Sequence, residues 1–238
     1  MSAAARPPVR ASQTPERAGR VALFGGTFDP IHSGHLAVAR AALRRFRLDQ
    51  LIFIPTSRPP HKHRRNMACY LDRFAMVALA CAGNPKFVIS LAESGADHSG
   101  REVFYSVDTV RHFQRKLRGS GARLFFLVGA DSFLDFHSWR DYRTLLGLCD
   151  FIVASRPGFR MDALRRVIPP EMMAPVSGEA RPNPRKIALR HTTVHLLDAV
   201  SSRVSATEIR RRLDRGQSVH ALVPPRVEEY ITKQALYL

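Results

Sequence analysis

Short apolar runs recur along the chain, separated by stretches with helical spacing of their apolar residues. The runs at 21–24, 51–54, 86–89, 123–128, 151–154 and 193–197 are dominated by Val, Ile, Leu and Phe. Most lack the strict polar alternation of a half-exposed strand, which predicts strands buried on both faces. The segments 34–46, 70–81, 106–117, 140–147, 205–214 and 225–233 predict helices. Strands alternating with helices predict an α/β fold built from parallel βαβ units. In such a fold ligands lie beyond the C-terminal ends of the strands, near the point where strand order reverses.

Two stretches break the pattern. Residues 156–191 carry Pro157, Pro169, Pro170, Pro175, Pro182 and Pro184, which predicts a long irregular excursion with one short helix near 162–167. Residues 1–20 are rich in Ala, Arg and Pro and lack the apolar core of a secretory signal. Pro7, Pro8 and Pro15 also oppose an amphipathic transit helix, so a disordered tail is expected there. The expected organisation is this tail, a nucleotide-binding α/β domain over 21–198, and a small helical part over 199–238.

Composition narrows the class. The chain has 238 residues, 45% of them hydrophobic, enough for a substantial core. No apolar run approaches the roughly 20 residues that cross a bilayer, so no membrane partner is expected. Three cysteines without a C-x-x-C spacing suit a reducing, cytoplasmic setting. A net charge of +17 invites a nucleic-acid reading, but its distribution argues against one. Part of the excess sits in the irregular stretches 1–20 and 155–191. Arg58, Lys62, Arg64 and Arg65 crowd one short loop, and 200–215 holds five arginines against two acids. Two local cationic clusters suit a small polyanion better than a duplex, and no nucleic-acid partner is expected. Oligomeric state is not legible.

The chemistry concentrates in four segments. Gly25-Gly26-Thr27-Phe28-Asp29-Pro30-Ile31-His32-Ser33-Gly34-His35 links the first apolar run to the first helical stretch. A strand, a glycine turn and a helix start form a phosphate-binding loop. It has no Lys-Ser or Lys-Thr pair and does not fit G-x-G-x-x-G, so neither a Walker A loop nor a dinucleotide fingerprint applies. His32 and His35, three apart on one helical turn, face the same way and suit contacts to phosphate oxygens. A zinc pair would need further ligands, and none stands nearby, so no metal site is expected. Val204-Ser205-Ala206-Thr207-Glu208-Ile209-Arg210 reads as a capping box, Ser205 with Glu208, and as a second anion-binding helix start with Arg210 one turn in. Gly129-Ala130-Asp131 ends an apolar run; Asp131 there either binds ribose hydroxyls or caps the next helix. Pro59-Pro60-His61-Lys62, Tyr105-Ser106 and Trp139-Arg140 are weaker signals: a rigid loop ending in a cation, a helix start, and the single Trp.

These segments resemble the nucleotidyltransferase superfamily with the H-x-G-H motif, through G-[GT]-F-D-P-x-H-x-G-H and I-S-[ST]-T-x-[IL]-R, with Val204 in place of the usual isoleucine. Together with Ser155-Arg156-Pro157-Gly158 and the ending Leu222-Val223-Pro224, Tyr230-Ile231, Leu236-Tyr237, they resemble bacterial nicotinate-nucleotide adenylyltransferases from about Val21 to Leu238. Ser106 stands where that family has threonine, and Arg140 where an aromatic is common. The resemblance implies a Rossmann-like parallel sheet flanked by helices. It implies adenylyl transfer from ATP, with Mg²⁺, to nicotinate mononucleotide, giving deamido-NAD and pyrophosphate. His32, His35 and Arg210 are the expected catalytic groups. Gly25, Gly26, Thr27, His35, Gly129, Asp131, Ser205, Thr207 and Arg210 are expected at ATP. Asp29, His32, Lys62, Tyr105, Ser106, Trp139 and Arg140 are expected at the mononucleotide. The rival readings are another transferase such as a phosphopantetheine adenylyltransferase, and, from a different class, a basic nucleic-acid-binding protein.

Overall fold

The apolar runs become the strands of one sheet. The computed structural model describes residues 19–57, 67–94, 104–175, 183–198 and 204–238. Its strands are β1 (Arg20–Gly26), β2 (Gln50–Pro55), β3 (Phe87–Ile89), β4 (Arg123–Gly129), β5 (Asp150–Ala154), β6 (Lys186–Ala188) and β7 (Thr193–Leu197). The helices are α1 (Ser33–Phe46), α2 (Tyr70–Cys81), α3 (Ser106–Lys116), α4 (Ala130–Leu134), α5 (Tyr142–Leu148), α6 (Met161–Val167), α7 (Ala206–Asp214) and α8 (Pro225–Lys233). The sheet order is β3-β2-β1-β4-β5-β7-β6, with every pairing parallel except β6–β7. Strand order therefore reverses between β1 and β4. The glycines ending β1 and the Gly129 ending β4 lie side by side at that point, at the C-terminal edge.

Strand pleating explains why the runs are apolar throughout. Ala22 and Phe24 of β1, Leu51 and Phe53 of β2, and Phe125 and Leu127 of β4 point to one face. Val21, Leu23, Ile52, Ile54, Leu124, Phe126 and Val128 point to the other. The first face is covered with residues of α1, α2, α7 and α8; the second with residues of α3 to α6. Ile209, Val219, Val223, Val227 and Ile231 belong to the same apolar cluster as β1 and α1, so the segment 204–238 shares the main core rather than building its own.

The irregular excursion requires correction. It contains α6, a 3-10 turn at Pro170–Met172, and β6, which closes the sheet edge antiparallel to β7. Met173 also bridges Leu189. Three residues, Lys186-Ile187-Ala188, are too few to show a periodicity, yet Ile187 is only 1% exposed. Its partner Val194 supplies the buried surface that fixes it. The prolines sit in the connections, where a missing N–H does no harm. The helix expected at 140–147 starts at Tyr142, because Asp141 takes a left-handed φ of 51° as its cap. The five-residue α4 was likewise too short to see by period.

Candidate active site

The glycine loop leaves β1 with its backbone committed by sterics. Phe28 has a φ of 48° and packs edge-on against Phe24 and Phe53. A Cβ on Gly26 would stand 3.0 Å from the Phe28 ring, which fixes that position as glycine. The loop then feeds α1, whose cap residue is His32 in extended geometry. The His32 N–H donates to His35 Nδ1 at 3.3 Å, and the two imidazoles stack with centroids 3.7 Å apart. An accepting Nδ1 places the His35 ring proton on Nε2, where it is a donor. Burial lowers the His32 pKa to about 4, so that ring is neutral at pH 7. One further α1 amide, that of Ser33, donates to the Leu222 carbonyl at 2.8 Å.

Across from this loop stands the start of α7. Ser205 Oγ accepts from the Glu208 N–H at 3.2 Å, the serine half of the expected capping box. The other half does not follow. The Glu208 carboxylate pairs instead with Arg211 and Arg212, at 2.7 Å and 3.0 Å. Two of the arginines expected to form an anion site are thereby neutralised on the helix surface. Arg210 alone of these three turns inward. Its Nη1 donates to the Asp29 carbonyl and, at 3.3 Å, to Asp29 Oδ2.

A cleft of about 1360 Å³ opens between these elements. It exceeds the usual single-ligand pocket of about 300–1000 Å³, leaving room for two substrates. Gly25, Gly26, Thr27, His32 and His35 line it, with Ser205, Thr207 and Arg210 opposite. Gly129 and Asp131 line it from β4 and the first turn of α4, so Asp131 is not the cap of that helix. Tyr105 and Ser106 enter from the start of α3, and Trp139 and Arg140 from the turn before α5. Trp139 is half-buried on Phe126 and Phe136. The Arg140 guanidinium lies 4.6 Å from the Tyr105 ring centroid, a cation–π pair that joins two residues read separately in the sequence. Lys62 and the Pro59-Pro60 loop lie outside the described residues.

Asp29 also lines the cleft, but its carboxylate is spoken for. Oδ1 accepts from the Ala68 N–H at 3.0 Å and the Tyr237 hydroxyl at 2.7 Å, and Oδ2 faces Arg210. The expectation of a direct mononucleotide contact therefore meets a residue already used as a local organiser.

Two residues escaped the sequence reading. Arg73, fully buried, donates from Nε to the Ala68 carbonyl at 3.1 Å. Its Nη1 reaches the Thr27 carbonyl at 2.7 Å and that of Thr56 at 2.8 Å, and its Nη2 that of Ser57 at 3.0 Å. It clamps the glycine loop to the exit of β2. Burial lowers its pKa, opposed by Asp29, but a guanidinium remains charged. Glu93, 6% exposed, accepts from Thr109 Oγ1 at 2.7 Å, and burial raises its pKa. An arginine at helical spacing reads as a surface residue, and a lone glutamate carries no motif.

Comparison with known proteins agrees with this geometry. Residues 23–212 match the profile of the cytidylyltransferase-like family. A relative from Moorella thermoacetica named "probable nicotinate-nucleotide adenylyltransferase" is 40% identical over 93% of this chain and 93% of its own. One of the same name from Citrifermentans bemidjiense is 38% identical over 92% of this chain and 98% of its own. Among solved structures, a Plasmodium falciparum nicotinic acid mononucleotide adenylyltransferase complexed with APC shares the fold, with a TM-score of 0.66 at 16% identity, covering 92% of this chain and 97% of that one. The loop, the histidine pair and the α7 start thus stand in a sheet of known type, and the chain belongs to the nicotinate-nucleotide adenylyltransferases of the cytidylyltransferase-like family.

Proposed function

We propose that the protein joins ATP and nicotinate mononucleotide, releasing pyrophosphate and forming nicotinate adenine dinucleotide for NAD biosynthesis. The observation that carries this reading is the facing of two phosphate-binding helix starts, those of α1 and α7, across one cleft at the strand-order reversal.

The chemistry follows from the substrates. A phosphate monoester has its second pKa near ~6, so the mononucleotide phosphate is mostly a dianion at pH 7. It attacks the ATP α-phosphorus directly, without a general base or a covalent enzyme intermediate. The protein aligns two anions and stabilises charge on the transferring group and the leaving pyrophosphate. The Gly25–Thr27 segment and the His35 Nε2–H serve the transferring phosphate. Ser205, Thr207 and Arg210 hold the outer phosphates of ATP, and Gly129 and Asp131 its ribose. His32, Lys62, Tyr105, Ser106, Trp139 and Arg140 receive the mononucleotide. Among the described residues no cluster of three acidic, His or Cys side chains could hold a metal. Mg²⁺ accordingly arrives on the ATP phosphates as part of that substrate. The three cysteines are free thiols, which suits a cytoplasmic enzyme.

Pyrophosphate release with a panel of acceptors tests the reading. Nicotinate mononucleotide should exceed the nicotinamide form in kcat/KM by at least about 100-fold, because donors set for a carboxylate meet an amide NH₂ unpaired. Equal values for the two, or a preference for phosphopantetheine, would overturn it. Duplex DNA binding that collapses with salt, without pyrophosphate release, would favour the nucleic-acid reading.

The two cationic elements should divide the substrates between them. Arg210→Ala should raise the KM for ATP about tenfold, the loss of a charged hydrogen-bond donor. Lys62→Ala should act on the KM for the mononucleotide alone. Substrate titrations that show both variants raising the same KM would refute this division.

A further inference from the structure

The family-like ending around Tyr237 has no part in the chemistry above, yet it reaches the site. We propose that Tyr237 is a positioning residue for ATP: its hydroxyl holds the Asp29 carboxylate, and Asp29 in turn sets the guanidinium of Arg210 toward the outer phosphates. This rests on the phosphate-binding reading of Arg210.

Three observations support the chain of contacts. The first is the hydrogen-bond path. The Tyr237 hydroxyl donates to Asp29 Oδ1 at 2.7 Å, across 208 residues of sequence. Ala68 N–H holds the same oxygen at 3.0 Å, so the carboxylate plane is fixed from two sides. Arg210 Nη1 then binds both the carbonyl and the carboxylate of Asp29, and only 14% of its side chain is exposed. The guanidinium is a rigid fork, so fixing one nitrogen aims the others. The second is the backbone. Ala235 and Tyr237 both adopt left-handed φ, 48° and 67°, in a segment without glycine. Such conformations persist only where the surroundings enforce them. The third is the frame that carries the segment. The Tyr230 hydroxyl donates to Asp72 Oδ1 at 2.9 Å, and the Leu222 carbonyl accepts from Ser33 N–H. The segment 219–238 is thus tied to α2 and to the start of α1 before it delivers Tyr237. Burial and the Asp29 charge both raise the Tyr237 pKa, which keeps its hydroxyl a donor.

Without that hydroxyl, Oδ1 loses a donor. The carboxylate then draws on its remaining partners, Ala68 N–H and Arg210, and competes with ATP for the guanidinium. The test is Tyr237→Phe, which keeps the ring, compared with Arg210→Ala and the double variant in the full chain. Tyr237→Phe should raise the KM for ATP about fivefold while leaving the KM for the mononucleotide unchanged and kcat within about twofold. In the Arg210→Ala background the same change should add nothing, since the two act through one contact. A rise in both KM values, an additive effect in the double variant, or loss of a cooperative melt in Tyr237→Phe would overturn the proposal. If Arg210→Ala raises the ATP KM and Tyr237→Phe does not, the tie alone fails. If neither does, the phosphate role of Arg210 fails and the tie with it.

Discussion

Replacing His35 by alanine should lower kcat about 100-fold, with the fold retained and ATP binding little changed. The imidazole stands on the first turn of α1, partly exposed to the cleft, with its Nδ1 occupied by the His32 N–H. The remaining ring proton is a donor that matters most when negative charge peaks on the transferring phosphate. Loss of one such donor typically costs about 3 kcal/mol of transition-state stabilisation. The structural loss is smaller. One backbone hydrogen bond and edge contacts to Phe28 and Phe24 disappear, while the buried Leu36 and Ala39 keep α1 docked. Single-turnover rates and an ATP titration separate the two effects. An unchanged kcat, or a variant that does not fold, would remove His35 from the chemistry.

The second large effect should come from Arg73. Arg73→Met should destabilise the protein by about 3–5 kcal/mol, since it strands the carbonyls of Ala68, Thr27, Thr56 and Ser57 around an apolar side chain. For a chain of this size that lowers the melting temperature by about 10 °C. Activity should fall with it, because Thr27 belongs to the phosphate loop. Arg73→Lys should recover little. A single ammonium cannot span carbonyls on three segments, where a planar fork can. A methionine variant melting within about 2 °C of the parent would show that water or rearrangement satisfies those carbonyls.

Both residues bear on what could be read in advance. His35 was legible because its setting is local: a strand, a turn forced by Gly26, and a helix cap within eleven consecutive residues. Arg73 was not, because nothing in its own helix marks it as inward. Its acceptors lie up to 46 residues away and become neighbours only when β2 pairs beside β1. Glu208 shows the opposite error. The local pattern promised a capping box, but the side chain had a choice of partners, and two arginines on its own helix won it. Charge near a motif therefore did not measure charge in the site.

The sequence by itself determined the parallel α/β architecture, the phosphate loop and the second helix start. Apolar runs, glycine sterics and helix caps are short-range properties, carried by adjacent residues whatever the rest of the chain does. The tertiary structure decided the rest. Sheet order brought Gly26 and Gly129 to one edge, and a shared core brought α7 opposite α1. β6, invisible as three residues, formed because β7 offered it an edge and a buried partner. Asp29, Tyr237 and Arg210 meet across 181 and 208 residues of chain. Such meetings have no local signature: each group satisfies its hydrogen bonds only after the core has placed the others within reach.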